Sequence, residues 1–239
     1  MLTILGDSHS IGLERLTKDR LDLRGIAMGN GALIRRLITG DRISDEFSGY
    51  FEDSDGRIGL LLGNDAYNII CSRIDANQDA GVEFELDRFA ESASPKAAIL
   101  PEAMIREYLK HVLDPIRKLC EITKVDVLVS GPPPTSPEPL IVNSYEKKGI
   151  TDLWIAPART RLACWKIQLG LLQEIAADTG AQFIHTPPSS IDENGFLAEA
   201  FWHDGCHGNR DYCKLMIDHL VAEVPLRWTS TNGVSHDQL

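Results

Sequence analysis

Leu2-Thr3-Ile4-Leu5-Gly6-Asp7-Ser8-His9 stands at the start of the chain, and these eight residues decide how the rest is read. A short, unbroken apolar run bounded by glycine reads as a buried strand of a parallel sheet. Gly6 lets the chain turn sharply after it, toward a helix for which Ser10 is the candidate cap. Ser8 is therefore expected on a strand-to-helix turn, its hydroxyl projecting from the carboxyl edge of the sheet, where ligands of open α/β sheets gather. Taken alone, Gly-Asp-Ser is also an ordinary turn sequence.

A second cluster, Asp204-Gly205-Cys206-His207, lies near the other end and changes that reading. A serine hydroxyl is a weak nucleophile until an imidazole takes its proton, and a carboxylate fixes the tautomer and charge of that imidazole. Asp204 and His207 supply both groups, and their three-residue separation predicts that they share one side of a helical turn. Asp204 by itself would be a plain acid at a helix N-terminus. Beyond the pair, Cys213, Met216, Ile217, Leu220, Val221 and Val224 form one apolar stripe of helical period, a rigid mount.

Between these ends, strand-like runs alternate with helical periodicity. Strands are expected at 2–5, 21–27, 67–71, 125–129 and 182–185. Helices are expected from about residue 10, near 32–39, after Pro101 with a kink or break at Pro115, and through Leu162, Trp165, Leu169, Leu172 and Ala176. This alternation predicts an α/β fold with a doubly wound parallel sheet and helices on both faces. Residues 1–228 are read as a single domain with excursions at about 41–66 and 132–160. The second excursion is expected to form a surface lobe near the site, and residues 229–239 a flexible tail.

Lys plus Arg number 24 against 35 Asp plus Glu, a net charge of −11 that disfavours nucleic acid and anionic membrane surfaces as partners. No window approaches the ~18 consecutive apolar residues of a membrane span, and the first residues lack the basic-then-apolar pattern of a secretory leader. With five scattered cysteines, this sets the expectation of a cytoplasmic protein with free buried thiols. His203 and His207 have four-residue spacing, but no third and fourth ligand accompanies them, so neither a metal nor an organic cofactor is expected.

The two terminal blocks together resemble the SGNH/GDSL hydrolase family of serine esterases and acyl hydrolases. Gly6-Asp7-Ser8 matches its opening block, and Asp204 to His207 its closing Asp-x-x-His. Asp192-Glu193-Asn194-Gly195-Phe196-Leu197 and His207-Gly208-Asn209 resemble the runs into and out of the last block. The resemblance implies a flavodoxin-like three-layer sandwich, with Ser8 as nucleophile, His207 as base and Asp204 orienting it. It also implies an oxyanion hole built from the amides of Ser8 and Gly29 and an asparagine side chain after the third strand. If residues 69–71 are that strand, Ile74 stands where the asparagine belongs, and Arg73 or Asn77 becomes the replacement donor. Gly63-Asn64-Asp65 is the alternative, set aside because it precedes that strand and reads as a turn.

The expected activity is hydrolysis of a small-molecule or carbohydrate ester carrying a short acyl group. A non-catalytic carbohydrate- or acyl-binding module and an O-acyltransferase are the alternatives. Oligomeric state is left open by the sequence.

Overall fold

Successive side chains of a strand point to opposite faces, so an apolar strand buried on both sides needs a packed layer above and below it. The structure, a computed structural model, describes residues 2–7, 12–27, 36–52, 57–61, 71–74, 84–123, 125–147, 149, 153–203 and 207–223. In chain order the strands are β1 (Leu2–Gly6), β2 (Leu23–Ala27), β3 (Ile38–Thr39), β4 (Arg42–Ile43), β5 (Arg57–Leu61), β6 (Ser72–Ile74), β7 (Phe84–Leu86), β8 (Ala98–Leu100), β9 (Asp126–Ser130), β10 (Leu153–Ile155) and β11 (Gln182–Ile184). The helices are α1 (Leu13–Thr17), α2 (Asp45–Glu52), α3 (Glu102–Ile122), α4 (Glu138–Lys147), α5 (Ala158–Thr179) and α6 (Arg210–Glu223).

Five strands form one parallel sheet in the spatial order β2-β1-β5-β9-β11. Counting only these strands, the order is 2-1-3-4-5, the flavodoxin-like doubly wound arrangement, whose switch point lies between the first and third strands, here β1 and β5. The two faces are sorted by register. Leu5, Ile58, Leu60, Val127 and Val129 face α3 and α5 in one core cluster. Leu2, Ile4, Leu128 and Ile184 face α1 and α6 in another. Glycines let the second layer approach closely: a β-carbon at Gly25 would lie 2.5 Å from Thr17 Oγ1, and one at Gly59 3.0 Å from Leu220 Cδ1. The sandwich expected from the alternation is thus present.

Several local expectations are corrected. The central third strand is β5, paired with β1 on one side and β9 on the other. It lies inside the expected 41–66 excursion, which also contains α2. Of the run 67–71 expected as that strand, residues 67–70 lie outside the described residues; the strand after Cys71, β6, pairs antiparallel with β10 away from the central sheet. The helix expected through residue 39 has ended by Ile38, because Gly40 at φ 63° turns the chain into a hairpin that pairs β3 with β4. Leu21 is fully exposed and β2 begins at Leu23, the residue that pairs with Leu2. Pro115 neither breaks nor ends α3, whose Leu113, Ile116, Leu119 and Cys120 are buried on both sides of it; packing of that face outweighs the one lost backbone bond. The tail, from residue 224 on, lies outside the described residues.

The segment after β9 is no surface lobe at its start. Thr135 and Ser136 are buried, and Trp165 Nε1 of α5 donates to the Pro132 carbonyl (3.0 Å). Farther along the same edge, buried Glu85 on β7 accepts from Arg159 of α5 through Nε (3.0 Å) and Nη2 (2.7 Å), which braces the small β7–β8 pair against the helix.

Candidate functional site

β1 ends with Gly6, which is registered against Ala27 of β2 on one side and Leu61 of β5 on the other. Asp7 follows, buried, with its N–H donating to the Leu61 carbonyl (3.4 Å). Three neighbouring strands therefore finish level with one another at the carboxyl edge. In the sequence Ser8 and Gly29 each come two residues after such an end and Asn64 three after. Ser8, Gly29, Asn64, Asn77 and Asp204 lie outside the described residues. Arg73 is on β6, its backbone paired with Trp154 of β10 and not at the end of a central strand.

His207 is described, whereas residues 204–206 of the expected turn lie outside the described residues. Trp202 and Gly208 form an antiparallel bridge, and the His203 N–H donates to the His207 carbonyl (3.1 Å). Residues 202 and 208 thus close a loop like the end of a hairpin, and α6 begins only at Arg210. Asn209 joins loop to helix. Its side-chain Oδ1 accepts from the N–H groups of Asp211 (2.9 Å) and Tyr212 (3.1 Å), the pattern of a helix N-cap. Its Nδ2 donates to the Ala200 carbonyl (2.8 Å) and its own N–H to Phe201 (2.8 Å). Under the loop, Gly208 rests on the ring of Tyr212, so closely that an added β-carbon would lie 2.5 Å from Cδ1. Burial pushes the Tyr212 phenol well above its ordinary range, and its hydroxyl has no hydrogen-bond partner among the described residues.

The run leading into this loop is also fixed. Asp192 Oδ1 accepts from Asn194 (2.9 Å) and Phe196 (2.8 Å), with Gly195 at φ 91° completing the turn. Leu197 then donates its N–H to the Thr135 carbonyl (3.1 Å), and Trp202 Nε1 donates to the Leu197 carbonyl (2.6 Å). The loop that carries His207 therefore hangs from the segment after β9.

The two ends of the chain meet. A β-carbon built on Gly12, four residues after Ser8, would lie 3.5 Å from Cγ and 3.7 Å from Cδ of Arg210, three residues after His207. Gly12 takes φ 80°, a left-handed conformation that ends the β1–α1 turn next to the start of α6.

Arg161 has no place in the sequence-based reading. It is 1 % exposed, and donates through Nε to the Ala156 carbonyl (3.0 Å) and through Nη1 to Thr135 Oγ1 and the Ser136 carbonyl (2.8 Å). Its signal was an arginine in the row 161, 164, 168, 171 and 175 of α5, every member of which is buried. Cys71, Cys120, Cys164 and Cys213 are buried free thiols, and Cys206 lies outside the described residues. Burial pushes the Cys120 thiol up to about 11 and that of Cys213 to about 12, which keeps both protonated and poor nucleophiles. Among the described residues no group of three or more His, Cys, Asp or Glu is placed to hold a metal ion. No helix among them is long and apolar enough to cross a membrane.

No family model matches the chain, and no curated protein matches it. Solved structures do. A carbohydrate acetylesterase family member from Sinorhizobium meliloti is 14% identical, with 94% of this chain and 97% of that one covered at a TM-score of 0.50. A protein of Streptococcus pneumonia provisionally described as a platelet activating factor is 14% identical, with 93% and 83% covered at 0.53. A GDSL-like lipase from Bacteroides thetaiotaomicron is 15% identical, with 93% and 86% covered at 0.46. The likeness to the first two shows a shared α/β sandwich fold.

Proposed function

We propose that this chain, which has the SGNH-hydrolase fold, is a serine hydrolase that cleaves the ester of a short acyl group, with a carbohydrate as the alcohol. One observation carries the reading: Gly12, four residues after Ser8, lies against Arg210, three residues after His207. In this reading the Ser8 hydroxyl attacks the acyl carbonyl while His207 accepts its proton, then returns it to the leaving alcohol. Asp204 holds the imidazole in the required tautomer. Water, activated by the same imidazole, then releases the acid and frees Ser8.

The oxyanion donors are the amides of Ser8 and Gly29 and the side chain of Asn64. The assignment of Asn64 follows from the identity of the third central strand. Because that strand is β5, the position three residues beyond it is Asn64, whereas Arg73 stands on β6 outside the sheet. The switch point between β1 and β5 is also where ligands sit in this strand order. The carbohydrate ester is suggested by the likeness to the Sinorhizobium meliloti carbohydrate acetylesterase family member. No metal or organic cofactor enters any step.

The test is turnover of p-nitrophenyl acetate and of acetylated sugars by the intact chain, by Ser8→Ala and by His207→Ala. Release of acetic acid that disappears in both variants is expected. Acyl release that rises with added sugar, without a rise in free acid, would make the protein an O-acyltransferase instead. Binding of the sugar ester without turnover would make it a binding module.

A further inference from the structure

We propose that Arg161 is a positioning residue that holds the His207 loop in register with the segment after β9 and the end of β10; the proposal rests on the hydrolase reading above. A guanidinium removed from water costs several kcal/mol unless its donors are matched, so a buried arginine is retained only where its fork fixes something. Here the fork reaches two different walls of the sheet edge. Through Nη1 it grips Thr135 Oγ1 and the Ser136 carbonyl, in the segment after β9. Through Nε it grips the Ala156 carbonyl at the end of β10.

Each wall leads to a different part of the site. From Thr135 the path runs by hydrogen bonds: its carbonyl accepts from the N–H of Leu197, whose own carbonyl accepts from the Trp202 indole, and Trp202 bridges to Gly208 beside His207. From Ala156 the N–H donates to the Cys71 carbonyl (2.8 Å), and Cys71 directly follows the segment 62–70 that contains Asn64. One planar side chain thus ties the strap that carries the proposed base to the end of β10 and, through Ala156, to Cys71. Lysine keeps the charge but cannot reach in both directions at once.

The experiment compares wild type with Arg161→Lys and Thr135→Val, the second removing one acceptor and leaving the arginine in place. Sites are counted with a fluorophosphonate so that kcat is expressed per active serine. For Arg161→Lys, kcat per labelled site should fall about 10- to 100-fold with KM unchanged, the size expected for misplacement on the scale of an ångström, and Thr135→Val should show a smaller loss of the same kind. A merely structural role would lower the number of labelled sites and leave kcat per site intact; that result overturns the proposal. If Arg161→Lys does not fold, Thr135→Val decides. Hydrogen exchange reads the strap without turnover: both variants should lose protection at Leu197 and through residues 197–208. Unchanged exchange there overturns the proposal even if the wild type proves inactive. Failure of the hydrolase reading is separate, and shows as no labelling of the wild type or labelling that persists in Ser8→Ala.

Discussion

Replacing Gly208 by alanine tests the seat of His207 with a single methyl group. The added β-carbon would lie 2.5, 2.7 and 2.9 Å from Cδ1, Cγ and Cβ of Tyr212, where ordinary contacts begin at 3.4 Å. Tyr212 has nowhere to retreat. It is buried on α6, its ring packs edge-on against Phe201 at 6.2 Å, and Asn209 pins the first turn of its helix. The loop must therefore rise by about 1 Å, taking the neighbouring His207 with it, a displacement that costs on the order of 100-fold in kcat, or ~2.7 kcal/mol of barrier. Overpacking should also lower stability by about 1–3 kcal/mol, or roughly 2–12 °C in Tm for a chain of this size. The assay is turnover of p-nitrophenyl acetate per fluorophosphonate-labelled site, alongside a thermal melt. Adding Tyr212→Ala removes two of the three clashing atoms, so the double variant should recover part of the lost kcat, a coupling that the four-way comparison isolates. Full kcat in folded Gly208→Ala would refute the claim that the loop's height above α6 sets the position of the imidazole.

Three further outcomes are expected. Asn64→Ala should lose about 10²- to 10³-fold in kcat, the effect of removing one oxyanion donor, while Arg73→Ala and Asn77→Ala stay near wild type under the same kinetic assay. Asn209→Ala removes the N-cap of α6 and should cost about 1 kcal/mol in urea unfolding, with faster hydrogen exchange at Asp211 and Tyr212. Because burial raises Cys120 to about 11 and Cys213 to about 12 from the ordinary 9.0, the unfolded chain loses these protons first as pH climbs. Stability should hold below pH 9 and fall between pH 9 and 12, and replacing Cys213 by alanine should flatten the alkaline limb of a denaturant-midpoint against pH curve.

The parts of this fold legible in the sequence were those with strong local signals. β1, β9 and β11 are short apolar runs, and α5 and the stripe of α6 are long enough for their period to be unmistakable. β5 escaped because Arg57-Ile58-Gly59-Leu60-Leu61 carries a charged end and a central glycine, while the neighbouring 67–71 is the more apolar run. Gly59 is there because Leu220 of α6 presses on the strand, a tertiary demand with no local trace. Missing β5 made 69–71 the third strand, the reading from which Arg73 and Asn77 were drawn as donors. The Trp202–Gly208 bridge that flanks His207 had no local signal either, because it pairs residues across the 204–206 segment, which lies outside the described residues. Arg161 stood on a row whose other members are uncharged, and only the three-dimensional path from Thr135 to Gly208 gives it a role. What the sequence does carry near both termini is a Gly-Asp-Ser after an apolar strand and a histidine with an acid three residues before it.

The central claim is that Ser8 is a nucleophile activated by His207, and mapping the site of a fluorophosphonate adduct by peptide mass tests it most directly. One adduct on the peptide containing Ser8, absent in Ser8→Ala and formed far more slowly in His207→Ala, is the predicted result. An adduct on another residue, or labelling of Ser8 at an undiminished rate without His207, would contradict it.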